Sequence, residues 1–246
     1  MIGKGKSISH GVAALEYDLA KEIDGQAAAT EIARHELYGC TGAEMVQEMK
    51  PYFTDFPNVK NNCLRFEVSP SIEESSSFTD ADWAELGNDF MQRMGLMNHQ
   101  YIIIRHSGTE SKKEQAHLHI LANRISLSGE LYRDNWIGKR ATEAANAIAK
   151  ERNFVQSQDI GKANKAEIKE AMNEVLKKLQ GFDLAKFQEE LGKLGFKVRE
   201  ARASTGKLNG YYVTARSGTE YKASEIGKGY TLAHIERTQS RLKYNS

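Results

Sequence analysis

Apolar positions along the chain recur with two different periods, and the places where one period gives way to the other outline the elements. Residues 1–10 are Gly/Ser-rich and predict an edge strand, and in the following GVAALEYDLAKEI the residues Val12, Leu15, Leu19 and Ile23 fall at helical spacing. Residues 26–37 and 42–49 predict two further helices, separated at Gly39-Cys40-Thr41. Residues 63–69 alternate with period two and stop before Pro70, the pattern of a strand with one buried face. After a Ser-rich loop, Thr79 or Asp80 caps the amphipathic helix ADWAELGNDFMQRMG, which Gly95 ends.

Residues 101–106 (YIIIRH) form an apolar run, and extended character resumes at residues 116–125 (AHLHILANRI) after the polar loop SGTESKKEQ. A local polar loop joins an antiparallel hairpin, because a parallel pair needs a crossover of about a dozen residues or more. A turn at Ser128-Gly129 leads to a helix over 137–152, and the polar, aperiodic residues 156–163 predict a boundary. Helices over 165–179 and 184–194, strands over 196–202 and 210–215 with a turn at Thr205-Gly206, and a helix near 232–242 complete the chain. The expected class is α+β, with an antiparallel central sheet and flanking helices over residues 1–155 and a small basic α+β module over 164–246.

The chain has 246 residues, 40% hydrophobic and 27% charged, enough to bury a core without a disulfide framework or a structural metal. Cys40 and Cys63 read as reduced, packed thiols. No run approaches the roughly 18 apolar residues of a membrane helix, and the first residues lack the apolar stretch of a signal peptide, so membrane insertion is not expected and a cytoplasmic location is. The net charge of +1 hides a split: residues 1–160 carry 17 Lys+Arg against 23 Asp+Glu, and residues 161–246 carry 17 against 10. A basic final third points towards a partner with phosphates.

In His117-Leu118-His119 two imidazoles stand at i and i+2, on one face of a strand, and a hairpin brings His106 beside them. Three imidazoles with open coordination positions suit a catalytic divalent ion, which polarises a phosphoryl oxygen. His10, His35, His99 and His234 have no such company. The nucleophile such a centre needs is not supplied by any placeable Ser-His-Asp or Cys-His set. Phenolate attack on a phosphodiester would serve, and Tyr17, Tyr38, Tyr101 and Tyr132 are the candidates, among which spacing alone does not choose.

The run YIIIRHSGTESKKEQAHLHILANRI resembles the three-histidine motif of relaxases, the mobilisation nucleases of plasmids and transposons. The resemblance makes His106, His117 and His119 the metal ligands and Asn123 the trailing Asn of the motif. The opening GKSISHGVAALEYDLAK is similar to the family's N-terminal segment, which makes Tyr17 the nucleophile, and its place before the histidines is the relaxase order. The sequence departs from the pattern at Gly108, where the family commonly has an acidic residue; Glu110 and Glu67 are the substitutes that could orient the imidazoles.

What the resemblance implies is a strand-specific nicking and rejoining enzyme acting at a transfer origin through a 5′-phosphotyrosine intermediate. It implies Mg²⁺ or Mn²⁺ as cofactor, with Zn²⁺ as the alternative. The partners would be single-stranded or hairpin origin DNA and accessory mobilisation proteins. Arg199, Arg202, Lys207, Arg216, Lys222 and Lys228 would let the C-terminal module clamp DNA, and Tyr132 or Trp136 would offer rings for stacking, although Trp136 reads first as a core residue. Two other readings compete: an origin-binding accessory protein without catalysis, and a three-histidine hydrolase or oxygenase for small molecules, which would need Glu67 or Glu110 as a further ligand.

Overall fold

The computed structural model describes residues 1–108, 115–179 and 181–244, and the chain divides into two compact units, Met1–Ser157 and Gln158–Ser246. The first opens with strand β1 (Ile2–Ile8), helix α1 (Gly11–Leu19), the short strands β2 (Glu22–Ile23) and β3 (Gln26–Ala27), and strand β4 (Ala29–His35). Helix α2 (Gly42–Met49), strand β5 (Cys63–Ser69), the single turn α3 (Ile72–Ser75) and helix α4 (Asp80–Arg93) follow. The hairpin β6 (His99–His106) and β7 (His117–Ser126) and helix α5 (Ile137–Glu151) complete it.

Five strands make one sheet in the order β1-β5-β7-β6-β4, with every neighbouring pair antiparallel. Helices cover both faces, which is why Ile102, Ile103 and Ile104 of β6 are all apolar: successive side chains point to opposite sides and both sides are buried. On one face Leu64, Phe66, Val68, Leu118 and Ile120 pack with Trp83, Leu86 and Phe90 of α4 and Ala141, Ala145 and Ile148 of α5. On the other, Cys63, Ile102, Ile104 and Leu121 pack with Ala14 and Leu15 of α1 and Met45, Val46 and Met49 of α2. Thr79 caps α4 in a reciprocal bond with Asp82, and Thr41 caps α2 in the same way with Glu44.

Five expectations are corrected. Residues 26–37 are extended, not helical: Ala29–His35 pairs with β6 from Ala29 opposite His106 to His35 opposite Tyr101. The helix-forming Ala, Glu and Arg of this stretch are overridden by pairing, since helix propensity amounts to only a few tenths of a kcal/mol per residue. The helix before it ends at Leu19, because Asp24 and Gly25 both have positive φ, 53° and 75°, and form the two-residue turn joining β2 to β3. Trp136 is 81% exposed: it precedes α5 with a left-handed φ of 56°, and Ile137 takes the buried position. Cys63 is buried as expected and Cys40 is exposed.

The fifth correction is the start of the helix expected over 165–179: helix α6 (Ser157–Lys178) begins already within the polar residues 156–163, where the two units divide. Helix α7 (Leu184–Lys193), strands β8 (Lys197–Arg202), β9 (Leu208–Thr214) and β10 (Glu220–Lys222), the turn α8 (Ala223–Ile226) and helix α9 (Leu232–Tyr244) follow. The three strands form an antiparallel sheet with β9 central, closing on a core of Ile168, Met172, Phe187, Phe196, Tyr211 and Val213. Among the described residues, no helix is long and apolar enough to cross a membrane.

Candidate metal centre and nucleophile

The hairpin register places His106 directly opposite His117, and His119 opposite Ile104 on one side and Glu67 on the other. The three imidazoles therefore share the sheet face that carries α1 and α2. Their ring centroids lie 5.3, 4.4 and 4.9 Å apart, and one nitrogen from each falls within 4.8 Å of the others. Nε2 of His117 is 3.1 Å from Nε2 of His119. Two imidazole nitrogens on one ion at about 2.1 Å are themselves separated by roughly 3.0–3.4 Å, so this pair already has the spacing of two ligands.

The partners of the outer nitrogens decide which nitrogens remain for an ion. Nδ1 of His117 donates to the Gln115 carbonyl at 3.0 Å, which leaves its Nε2 without a proton in the neutral ring. Nε2 of His106 donates to the Asp18 carbonyl at 2.7 Å, so its Nδ1 carries the lone pair. Nδ1 of His119 faces Arg65 Nη2 at 3.4 Å and Asp18 Oδ1 at 3.8 Å. As it stands Nδ1 accepts from Arg65 and Nε2 donates to His117, and an ion on Nε2 would need that proton on Nδ1, facing the Asp18 carboxylate. The donor set thus fits a divalent ion, and it is a set of neutral rings.

Burial holds His106 and His119 neutral: it pushes His106 down to about 4 and, with the neighbouring imidazoles and Arg65, His119 down to about 2. Because His106 is 2% exposed and titrates lower folded than unfolded, the stability it contributes is full above about 6.5 and is lost as pH falls towards 4. That difference is worth about 3 kcal/mol at most. Metal-free protein unfolded with urea at a series of pH values should show this loss between pH 6.5 and 4, and His106→Gln should reduce it, leaving the part that His119 contributes.

The carboxylate behind the histidines is Asp18, which sequence reasoning missed. It is 1% exposed and binds Arg65 through both oxygens, with Arg65 Nε to Oδ2 at 3.1 Å. Burial raises its carboxyl above the usual range, and the Arg65 bonds offset part of that. A signal was present: Gly11, Ala14, Leu15 and Asp18 are the buried positions of α1, spaced i, i+3, i+4 and i+7, so an acid stands on the apolar stripe. Of the expected substitutes, Glu67 pairs with Lys4 at 2.8 Å, and Glu110 lies outside the described residues.

Tyr17 immediately precedes Asp18, is 60% exposed, and has the Lys21 ammonium 5.7 Å from its ring centroid. Two of the other three candidates, Tyr101 and Tyr132, have structural places, and Tyr38 is 76% exposed. Tyr101 is buried on the opposite sheet face and bonds Asn88 at 3.2 Å, and Tyr132 donates to the Met94 carbonyl at 2.8 Å. Tyr38 donates to Glu36 at 3.1 Å in the exposed segment after β4. Asn123 is fully buried, bonding Gln100 and the Ile125 amide, both at 2.9 Å, and so braces the hairpin.

In the second unit the six candidate DNA contacts are not equivalent, and Lys228 is exposed. Arg199 is held by Glu220 at 2.7 Å and lies over the Tyr212 ring, Arg202 is held by Glu200 at 2.6 Å, and Arg216 is bound to Glu167. Lys207 and Lys222 are exposed.

Two solved structures of the conjugative relaxase TrwC in complex with oriT DNA are similar to the chain, each at 12% identity. The metal-bound form has a TM-score of 0.36 and covers 84% of this chain and 74% of that one. The copper-bound form has a TM-score of 0.33 and covers 84% and 75%. No curated protein is similar enough to count as a relative. The MobA/VirD2-like relaxase nuclease domain matches residues 17–154, a segment that runs from the exposed tyrosine through all three histidines to the end of α5. That segment is more than half of the chain, and the protein belongs to the MobA/VirD2-like relaxase family.

Proposed function

We propose that the protein nicks and rejoins one strand of DNA at a transfer origin, with Tyr17 as the nucleophile and His106, His117 and His119 as the ligands of a divalent cation. The observation that carries this reading is the bond from His106 to the carbonyl of Asp18, which fixes the last turn of α1 against the histidine cluster and sets Tyr17 one residue from it. A divalent ion held there, Mg²⁺ or Mn²⁺ before Zn²⁺, would polarise the scissile phosphate and offset charge that develops at phosphorus.

In the reaction the Tyr17 phenolic oxygen, having lost its proton to solvent, bonds to phosphorus as the bond to the 3′ oxygen breaks. The products are a 5′-phosphotyrosine and a free 3′-hydroxyl; attack by that hydroxyl reverses the step. Lys21 offers a positive charge beside the phenolate, and Arg65 keeps Asp18 ionised and in place behind His119. Accessory mobilisation proteins would open the duplex. The oxygenase reading lacks its carboxylate: among the described residues the ion-binding cluster is three histidines, and Asp18 is committed to Arg65.

Incubating the protein with Mn²⁺ and a 3′-labelled single-stranded origin oligonucleotide should give a label that migrates with protein under denaturing conditions. Tyr17→Phe should bind the oligonucleotide and form no such species. Wild-type protein that binds the origin without ever forming the species would instead be an accessory factor.

A further inference from the structure

We propose that the open edge of β1 is a track for single-stranded DNA leading from the metal centre, on which Lys4 and Lys6 take backbone phosphates and Trp136 stacks on a base. The ligand class rests on the relaxase reading above; the placement rests on the strand itself. β1 is the outer strand of the sheet and pairs Lys4 with Glu67 and Lys6 with Arg65, so both lysines project from the face that holds His119. Lys4, Lys6, Arg65, Glu67 and His119 line one cavity of about 210 Å³. Lys4 is matched by Glu67 and Arg65 by Asp18, which leaves the wall one positive charge in excess at Lys6, the charge that a phosphodiester monoanion satisfies.

The residues between the lysines explain why this strand is GKGK. A Cβ on Gly3 would meet the Ala141 carbonyl and lie 2.5 Å from Ala145 Cβ, and one on Gly5 would lie 2.8 Å from the Phe66 ring. Helix α5 therefore presses directly on the backbone of β1 on one side, and the alternation sends both lysines to the other. The same contact brings the start of α5 to the edge. Ser7 bonds Asp134 at 2.5 Å, and the Gly138 side faces the Gly5 carbonyl, so Trp136 stands between two anchors on β1. A tryptophan that is 81% exposed and held in a left-handed backbone has no packing role, whereas an unstacked base offers it a ring face.

Binding of a single-stranded dT oligonucleotide of about 20 nucleotides to the full chain, followed by fluorescence anisotropy over a range of salt, tests this. Each phosphate released from the wall should lower the slope of log affinity against log salt by about 0.7, so with one charge in excess Lys4→Gln/Lys6→Gln should flatten it by about 0.7, and Lys4→Arg/Lys6→Arg should restore it. The DNA should quench the emission of Trp136, the other tryptophan, Trp83, being 2% exposed, and Trp136→Ala should weaken binding about tenfold. Unchanged Mn²⁺ affinity and melting temperature in these variants would show that fold and metal centre are intact. A slope that the double Gln variant leaves unaltered, or emission that DNA does not change, overturns the track. If the slope flattens while wild type forms no covalent adduct, the track stands and strand transfer fails. An adduct with an unaltered slope means the reverse.

Discussion

Asp18→Ala is expected to lower stability by about 3 kcal/mol and, separately, to weaken divalent-metal binding 10- to 100-fold. The first effect arises because Asp18 is 1% exposed and Arg65 retains about a fifth of its side-chain exposure, so the substitution strands a guanidinium in a site built to neutralise it. The figure belongs at the low end of the range for broken buried pairs, since Arg65 can still reach water. The second arises because the Asp18 carboxylate faces Nδ1 of His119, and among the described residues it is the acid that would hold a proton there once an ion takes Nε2. The two separate in the double variant Asp18→Leu/Arg65→Met. Urea denaturation should return most of the lost stability there, while calorimetric titration with Mn²⁺ should show no recovery. Recovery of metal binding in that variant would mean that the carboxylate serves the fold alone.

The second large effect is expected at the histidines. His117→Ala/His119→Ala removes the pair whose nitrogens are 3.1 Å apart and should abolish Mn²⁺ binding in the micromolar range. It should also lower the rate of adduct formation by at least about 10³-fold, the order expected when several kcal/mol of transition-state charge stabilisation is withdrawn. Wild-type protein stripped with a chelator should behave the same way and recover on addition of Mn²⁺, while the variant should not. Both rings are largely buried, but they face the metal centre and not the Leu118 and Ile120 side of the hairpin, so the folded state should survive, with an unchanged far-ultraviolet spectrum. Adduct formation by the variant at the wild-type rate would remove the metal from the mechanism.

Much of this architecture was legible residue by residue, and what was not has identifiable causes. β5 was predicted at its observed bounds because its alternation is a local property of seven residues, and the β6–β7 hairpin because a polar loop of that length admits only antiparallel pairing. β4 was misread because an edge strand half-exposed on both sides carries no alternation, and its Ala, Glu and Arg favour helices until β6 is beside them. Asp24-Gly25 was the available warning, a hairpin dipeptide inside what looked like one helical stretch. The histidine cluster was readable since strand geometry puts i and i+2 on one face. Asp18 was not found, because no spacing in the sequence ties it to the histidines and the fold delivers it to His106 from a helix 88 residues earlier. Trp136 was assigned to the interior on residue type, and only its backbone conformation shows otherwise.

The opening strand carries one more consequence. Its small and its charged residues answer to different neighbours, the former to a helix lying against them and the latter to the groove, and they alternate without interruption. Loss or gain of one residue before Ser7 would slide the pairing with β5 by one position, turning ammonium groups into Ala141 and Ala145 and leaving the groove lined with hydrogen atoms. A shift of frame by a single position is therefore expected to be a graver lesion here than any one replacement.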